Sequence, residues 1–193
     1  MKIVLASNNK DKLAEIRRIL PSPEYELISQ REAGADIEAE ENGSSFGENA
    51  AIKARAAYNI LKMPVIADDS GLCVDFLNGA PGIYSARYAE KGRRCEKLLN
   101  ELEGVPDEKR GAEFVCAVCY IDGSGNEHIF EGRCRGKIAL ESKGSGGFGY
   151  DPVFIYGGRT FAEIPAEKKN KISHRALALE QLKTFLDNAH GEL

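Results

Sequence analysis

The stretch VIADDSGLCVD, residues 65–75, sets the organisation of the whole chain. Its first residues are small or β-branched and apolar, and Pro64 stands just before them, which is the pattern of a buried strand. The run then ends in two adjacent acids, Asp68 and Asp69, followed by Ser70 and Gly71. A carboxylate taken from water into a protein interior costs several kcal/mol unless it is paired or holds a metal. The strand end is therefore expected either to open to solvent or to form a site. Side chains alternate along a strand, so the two acids are expected on opposite sides, and only one of them need act as a base.

Upstream, residues 2–6 read as a first strand. The polar segment SNNKDK (7–12) then leads into a helix with Leu13, Ile16 and Leu20 on one face, stopped at Pro21. Residues 25–29 read as a second strand. An acidic loop, ADIEAEENGSS (35–45), precedes a helix over 46–61 capped by Ser44 or Ser45. Downstream, LNGAPGIYSARY (77–88) is rich in turn residues and is expected to be an ordered loop, followed by a helix containing Leu98, Leu99 and Leu102. AEFVCAVCYI (112–121) and NEHIFEGRCRGKI (126–138), joined through DGSG, read as an antiparallel hairpin. After the glycine-rich GSGGFGYDP (144–152) come a short strand, VFIY, a basic loop, and a last helix over 174–188. Helices alternating with strands, with a hairpin in the middle, predict an α/β fold with a central mixed sheet flanked by helices, in one domain spanning residues 1–193.

Composition narrows the function classes. With 193 residues, 42% of them hydrophobic and 29% charged, and a net charge of -4, the chain has the make-up of a globular domain. It carries no Lys/Arg block of the kind that neutralises a nucleic-acid backbone. No apolar run approaches a membrane span, and IVLA at residues 3–6 is far shorter than a signal-peptide core, so no membrane or nucleic-acid partner and a cytoplasmic location are expected. The five cysteines lack the spacing of a disulfide scaffold. Cys116 and Cys119 form a CxxC pattern, but on a strand, positions three apart point to opposite faces, so packing is expected rather than a metal or redox pair.

Several stretches carry chemistry. A loop between a strand and a helix presents free backbone N–H groups and a positive helix end to an anion, and in 7–12 Lys10 and Lys12 add charge; a capped helix with exposed lysines has the same appearance. The Walker pattern GxxxxGK[ST] is absent. Glu38, Glu40 and Glu41 precede a helix and suit its dipole, or one of them joins Asp68 or Asp69 to offer the oxygen ligands Mg²⁺ prefers, with Lys53 nearby. Phe148 lies among four glycines in residues 144–149, and suits stacking on a nucleobase or burial in a tight turn. Lys168, Lys169, Lys171, His174 and Arg175 gather where the last helix is expected to start, opposing its dipole, and such a broken local rule often marks a ligand site.

SNNKDKLAEI (7–16), FGENAAIKA (46–54), ADDSGL (67–72), GAPGIYSARY (79–88), GGFGYDP (146–152) and ISHR (172–175) occur together in this order. Through them the chain closely resembles the inosine triphosphate pyrophosphatase family, the dITP/XTP pyrophosphatases that cleanse the nucleotide pool of non-standard purines. The resemblance covers essentially the full length. It implies Mg²⁺-dependent cleavage of ITP, dITP or XTP between the α and β phosphates, an elongated two-lobed α/β fold with the site in the cleft between the lobes, and a homodimer. It also implies Asp69 as general base, and Glu40 and Asp69 as metal ligands, Glu41 being an alternative to Glu40. The implied substrate contacts are Ser7, Asn8, Asn9, Lys10, Asp11, Lys12, Ser70, Phe148, Gly149, Tyr150, Asp151, Lys169, His174 and Arg175, with Lys53 joining them, and Lys12, Lys53 and Lys169 are the candidates for stabilising the leaving pyrophosphate. A 6-oxo purine would meet donors from His174 and Arg175. Two places depart from the family's usual pattern: the segment after Tyr88 is shortened and carries Arg94 where asparagine is common, and Asn8 stands where many members have glycine. A pyrophosphatase for modified or pyrimidine nucleotides is disfavoured by ISHR and GGFGYDP, and a binding module without turnover by Asp69 and Glu40.

Overall fold

The computed structural model describes residues 1–191, with side chains described through residue 188. Strand β1 (Lys2–Leu5) pairs in parallel with β2 (Glu26–Ser29) on one edge and with the start of β3 (Val65–Val74) on the other. Helix α1 (Lys10–Ile19) connects β1 to β2, and α2 (Phe46–Leu61) carries the chain back across β1 to β3. Parallel crossovers are right-handed, so a step to one side of β1 followed by a step to the other puts the two helices on opposite faces. The cores show this. Ile16 and Leu20 of α1 pack with Ile3, Leu5 and Ile66, whereas Ala50, Ala54 and Ala57 of α2 lie against Val4, Val65 and Ala67.

The expected hairpin forms from β4 (Gly111–Ile121) and β5 (Glu127–Ile138). The Asp122 carboxylate closes its turn by accepting from the N–H groups of Ser124 and Asn126 at 2.8 and 2.9 Å. Two short strands, β6 (Phe154–Tyr156) and the unanticipated β7 (Arg159–Thr160), complete a mixed seven-stranded sheet in the order β2-β1-β3-β4-β5-β6-β7. Helix α5 (His174–Gly191) packs Ala178, Leu179, Leu182 and Leu186 on the α1 face. Beyond the middle of β3, Leu72 and Val74 enter a separate core with Phe114, Phe154 and Leu98 of α3 (Arg94–Glu101). Cys116 and Cys119 fall in different cores, as alternation requires.

Three expectations change. Strand β3 does not end at the acids; it continues to Val74, with Asp68 opposite Val118 and Asp69 opposite Ala117 of β4. What ends is its other neighbour, because β1 stops at Leu5, opposite Ile66. Further along, that edge is covered again where the Leu72 N–H donates to Ser85 Oγ at 2.9 Å and the Val74 N–H to the Ala80 carbonyl at 3.1 Å. The acids therefore sit in a gap at mid-strand. Second, residues 77–88 are ordered, but largely as 3-10 turns, Asp75–Leu77 and Gly82–Arg87. Third, the basic loop contains α4 (Ala166–Ile172), so Lys169 and Lys171 occupy a last helical turn, where cations suit the dipole; only His174 and Arg175 begin α5.

Helix α5 crosses β5 at Gly132, where a Cβ would stand 2.1 Å from the His174 carbonyl oxygen and 2.5 Å from the Ala178 nitrogen. Only glycine lets the start of α5 approach so closely. Gly132→Val is expected to destabilise the fold by about 1–3 kcal/mol, the usual cost of overpacking, read as a lower midpoint in urea denaturation; an unchanged midpoint would show that α5 moves freely on the sheet.

Candidate active site

The gap in β3 opens into a cavity of about 440 Å³, bounded by the loop after β1, the acidic loop before α2, the middle of β3, the glycine-rich loop and the start of α5. The two acids face different surroundings. On the α1 and α5 side, Asp68 Oδ2 accepts from Arg175 Nε and Nη2 at 3.2 and 3.0 Å, with the Lys12 ammonium 3.0 Å away. Arg175 also donates to Ser70 Oγ at 2.9 Å and pairs with the buried Glu15. Glu15 lies 3.4 Å from Lys169 Nζ, which pairs with Asp151 at 2.6 Å. Asp151 in turn accepts the Phe148 N–H at 2.8 Å. Alternating charges thus tie α1, β3, α5, α4 and the glycine-rich loop into one network.

On the α2 side, Asp69 accepts from Asn49 Nδ2 and Lys53 Nζ, each at 3.3 Å. These two residues are one helical turn apart on α2 and reach the same carboxylate. Lys53 also lies 3.3 Å from Glu41, and Asn49 Oδ1 accepts the Gly43 N–H at 2.8 Å, which anchors the acidic loop beside Asp69. Gly71 completes the wall: a Cβ there would stand 2.3 Å from the Gly82 carbonyl oxygen and 2.6 Å from Ser85 Oγ.

The surroundings separate the two carboxyls in acidity. Burial would raise Asp68, but Lys12 and Arg175, with Lys53, hold it well below the usual carboxylate range. Asp69 is pushed up by burial, against the pull of Lys53 and Lys12. Burial, reinforced by the Arg175 and Lys169 charges, drives His174 well below its ordinary value, so its imidazole is neutral, stacked on Phe114 at 4.6 Å. A neutral imidazole offers one donor and one acceptor, and its buried Nδ1 has no hydrogen-bond partner among the described residues.

Of the residues the sequence singled out, Ser7, Asn8, Asn9, Lys12, Lys53, Asp69, Ser70, Phe148, Gly149, Tyr150, Asp151, Lys169, His174 and Arg175 all line this cavity. Lys10 and Asp11 are exposed and do not line it; they begin α1, where Asn9 Oδ1 caps the helix by accepting the N–H groups of Asp11 and Lys12. Glu40 is also exposed and outside the lining, whereas Glu38 and Glu41 are within it. Asn8, in place of a glycine, accepts from Gln30 Nε2 at 2.8 Å and so braces the loop after β1. Phe148 is half-buried, with Lys169 Nζ 4.9 Å and the Arg175 guanidinium 5.9 Å from its ring centre. Sequence reading passed over Glu15 and Asn49, although their spacing gave a signal: Glu15 follows Lys12 by three positions and Asn49 precedes Lys53 by four.

Comparison with known proteins fixes the lineage. The model of the Ham1 family matches residues 3–185. The chain belongs to the Ham1 family. It is 49% identical to a dITP/XTP pyrophosphatase of Treponema denticola, an alignment covering 96% of this chain and 98% of that protein. The Ham1 protein of Staphylococcus aureus superposes with a TM-score of 0.87 at 42% identity, covering 98% of this chain and all of that one, and a HAM1 protein from Coxiella burnetii gives 0.87 at 45%, covering 97% and 99%. The α/β fold, with its mixed sheet flanked by helices, is the fold of these structures.

A general base must be ionised, so activity is lost as pH falls through the carboxyl pKa. With Asp69 as the base, that limb is expected above the ordinary carboxylate range. Lys53 holds the pKa down, so Lys53→Met is expected to move the acid limb of kcat/KM to higher pH, while Lys53→Arg leaves it nearly in place. A pH–rate profile in which the methionine variant keeps the wild-type limb would separate Lys53 from the base.

Proposed function

We propose that the chain hydrolyses non-standard purine nucleoside triphosphates, ITP, dITP and XTP, to the monophosphate and pyrophosphate, and so cleanses the nucleotide pool. The observation that carries this is the pair of adjacent acids in one cavity, Asp68 locked in ion pairs and Asp69 raised in pKa beside Lys53. A base with a raised pKa takes a proton from water more readily near neutral pH than an ordinary carboxylate does, a contribution of roughly 10² to 10⁴-fold. Asn49 orients that carboxylate and Lys53 keeps it ionised. The loop of Ser7, Asn8 and Asn9 with the start of α1 faces the phosphates with the positive helix end, its N–H groups at Ser7, Asn9, Asp11 and Lys12 being taken up within the protein, and Lys12 adds charge.

Mg²⁺ suits the donors present. Glu41 and Asp69 are oxygen donors that both pair with the Lys53 ammonium, 3.3 Å from each, and their nearness to one positive charge supports a cation-binding role, with Glu40 next in the chain. Among the described residues, no three His, Cys, Asp or Glu side chains form a ready-made metal cage, which fits an ion that binds through one or two carboxylates plus substrate phosphates. When bound, the ion supplies charge neutralisation at the cleaved anhydride. Asp69 with Glu41 or Glu40 would hold it.

Within the same cavity, the purine stacks on Phe148, an aromatic platform of a kind that contributes about 1–3 kcal/mol per base. Four bonds to protein acceptors occupy most of the Arg175 guanidinium, so one N–H remains for the base, alongside the donor of neutral His174. A 6-oxo purine accepts from these donors, whereas the adenine 6-amino group would leave them facing another donor, a mismatch that costs such sites roughly 10⁴-fold or more; guanine shares the 6-oxo group, and its exclusion rests on an unmet or crowded 2-amino group. Among the described residues no helix is long and apolar enough to cross a membrane. A homodimer in the cytoplasm completes the proposal.

Release of pyrophosphate and of orthophosphate is to be measured for ITP, XTP, GTP and ATP, with Mg²⁺ and with chelator. Pyrophosphate from ITP and XTP, little from GTP or ATP, and none under chelator is expected; orthophosphate as the product would overturn the position of cleavage. Asp69→Asn is expected to keep nucleotide binding while turnover drops by about two orders of magnitude or more, and near-normal turnover would remove Asp69 as the base.

A further inference from the structure

Among the cations on the cavity wall, Arg94 stands apart. The other four are all engaged with carboxylates in the ion pairs described above. Among the described residues Arg94 has no ion pair, and its Nε is buried without a hydrogen-bond partner. Its position gains nothing from local structure either. It opens α3, where a cation opposes the helix dipole. The next residue, Cys95, donates through Sγ to the Gly149 carbonyl at 3.3 Å, and the Tyr150 hydroxyl donates to the Ser85 carbonyl at 3.0 Å, so the first turn of α3 is fastened to the glycine-rich loop and the guanidinium is held at the cavity by a fixed wall.

An unpaired, partly desolvated guanidinium in a binding cavity is matched by a full negative charge placed for two parallel hydrogen bonds. Resting on the proposed pyrophosphatase reading, every substrate offers such a charge in its polyphosphate, whereas hypoxanthine presents only neutral acceptors. The rest of the cavity has no surplus of positive charge, because apart from Arg94 four cations face five carboxylates and His174 is neutral. We propose that Arg94 binds the polyphosphate of the substrate and retains the pyrophosphate product, as a substrate-contacting residue additional to Lys12 and Lys53.

Titration calorimetry with inorganic pyrophosphate compares the wild-type chain, Arg94→Gln and Arg94→Lys, alongside steady-state kinetics on ITP, XTP and GTP. The expected result is pyrophosphate affinity lowered about tenfold or more in the glutamine variant and partly restored by lysine, with KM raised by a similar factor for every triphosphate and base preference unchanged. Pyrophosphate affinity within about twofold of wild type in the glutamine variant would overturn the proposal, as would wild-type chain that binds no pyrophosphate. A changed ITP to GTP preference at constant pyrophosphate affinity would also overturn it, by placing Arg94 at the base. Should the glutamine variant not fold, the lysine variant carries the comparison, since it keeps charge and loses the fork. Wild-type chain that binds pyrophosphate through Arg94 but releases none from ITP would fail the proposed function and leave this assignment standing.

Discussion

The structure depends on one guanidinium. Arg175, buried at the first turn of α5, grips Asp68 in the middle of β3 and Glu15 on α1, and so joins three elements whose positions define the cavity. Removing one partner of a buried pair strands the other charge at a cost of about 3–5 kcal/mol, far more than the pair contributes over an apolar substitute. The arrangement is therefore poor as a stabiliser and effective as a specifier: the cavity walls have a single low-energy placement. Gly132 is the steric counterpart, since the approach it permits lets Arg175 reach the strand at all.

From that constraint follows the division of labour between two neighbouring acids. Asp68 and Asp69 share a strand, and the pleat turns them to opposite faces. One meets an arginine and a lysine and stays ionised far below neutrality; the other meets an amide and one lysine, and burial prevails. Environments that push two carboxyls apart are the physical basis for giving one a structural role and the other a proton-transfer role. The gap that admits substrate has a plain origin, because β1 is shorter than β3 and stops before the acids.

Much of this was legible in residue order. Helix α2 begins and ends at the residues its capping serine and apolar spacing indicate, and the hairpin follows from its DGSG turn. The alternation argument placed the acids on opposite faces and the CxxC cysteines in separate cores. Whatever depends on where one strand ends relative to another was not legible: VIADDSGLCVD reads as a strand stopped by its acids, because a sequence shows the cost of burying Asp68 and cannot show Arg175, 107 positions away, offsetting it. Helix α4 was hidden because its polar sequence has no apolar stripe; what orders it is Lys169, whose partners Glu15 and Asp151 lie on other elements. Glu40 and Glu41 look equivalent in the chain, and only the fold turns Glu41 toward Lys53.

The same network bears on selectivity. Most of its donors are satisfied by the protein, so few remain to read a base: one imidazole N–H from His174 and what is left on Arg175. A site with many free donors would gain from almost any purine, because each would satisfy some of them. A site with few, held rigid by buried ion pairs, cannot rearrange to suit a wrong partner, and a base that leaves one of those donors unpaired incurs the full desolvation penalty. Discrimination between bases that differ by one exocyclic group then rests on how firmly Arg175 is held, and it is the pairing with Asp68 and Glu15 that holds it.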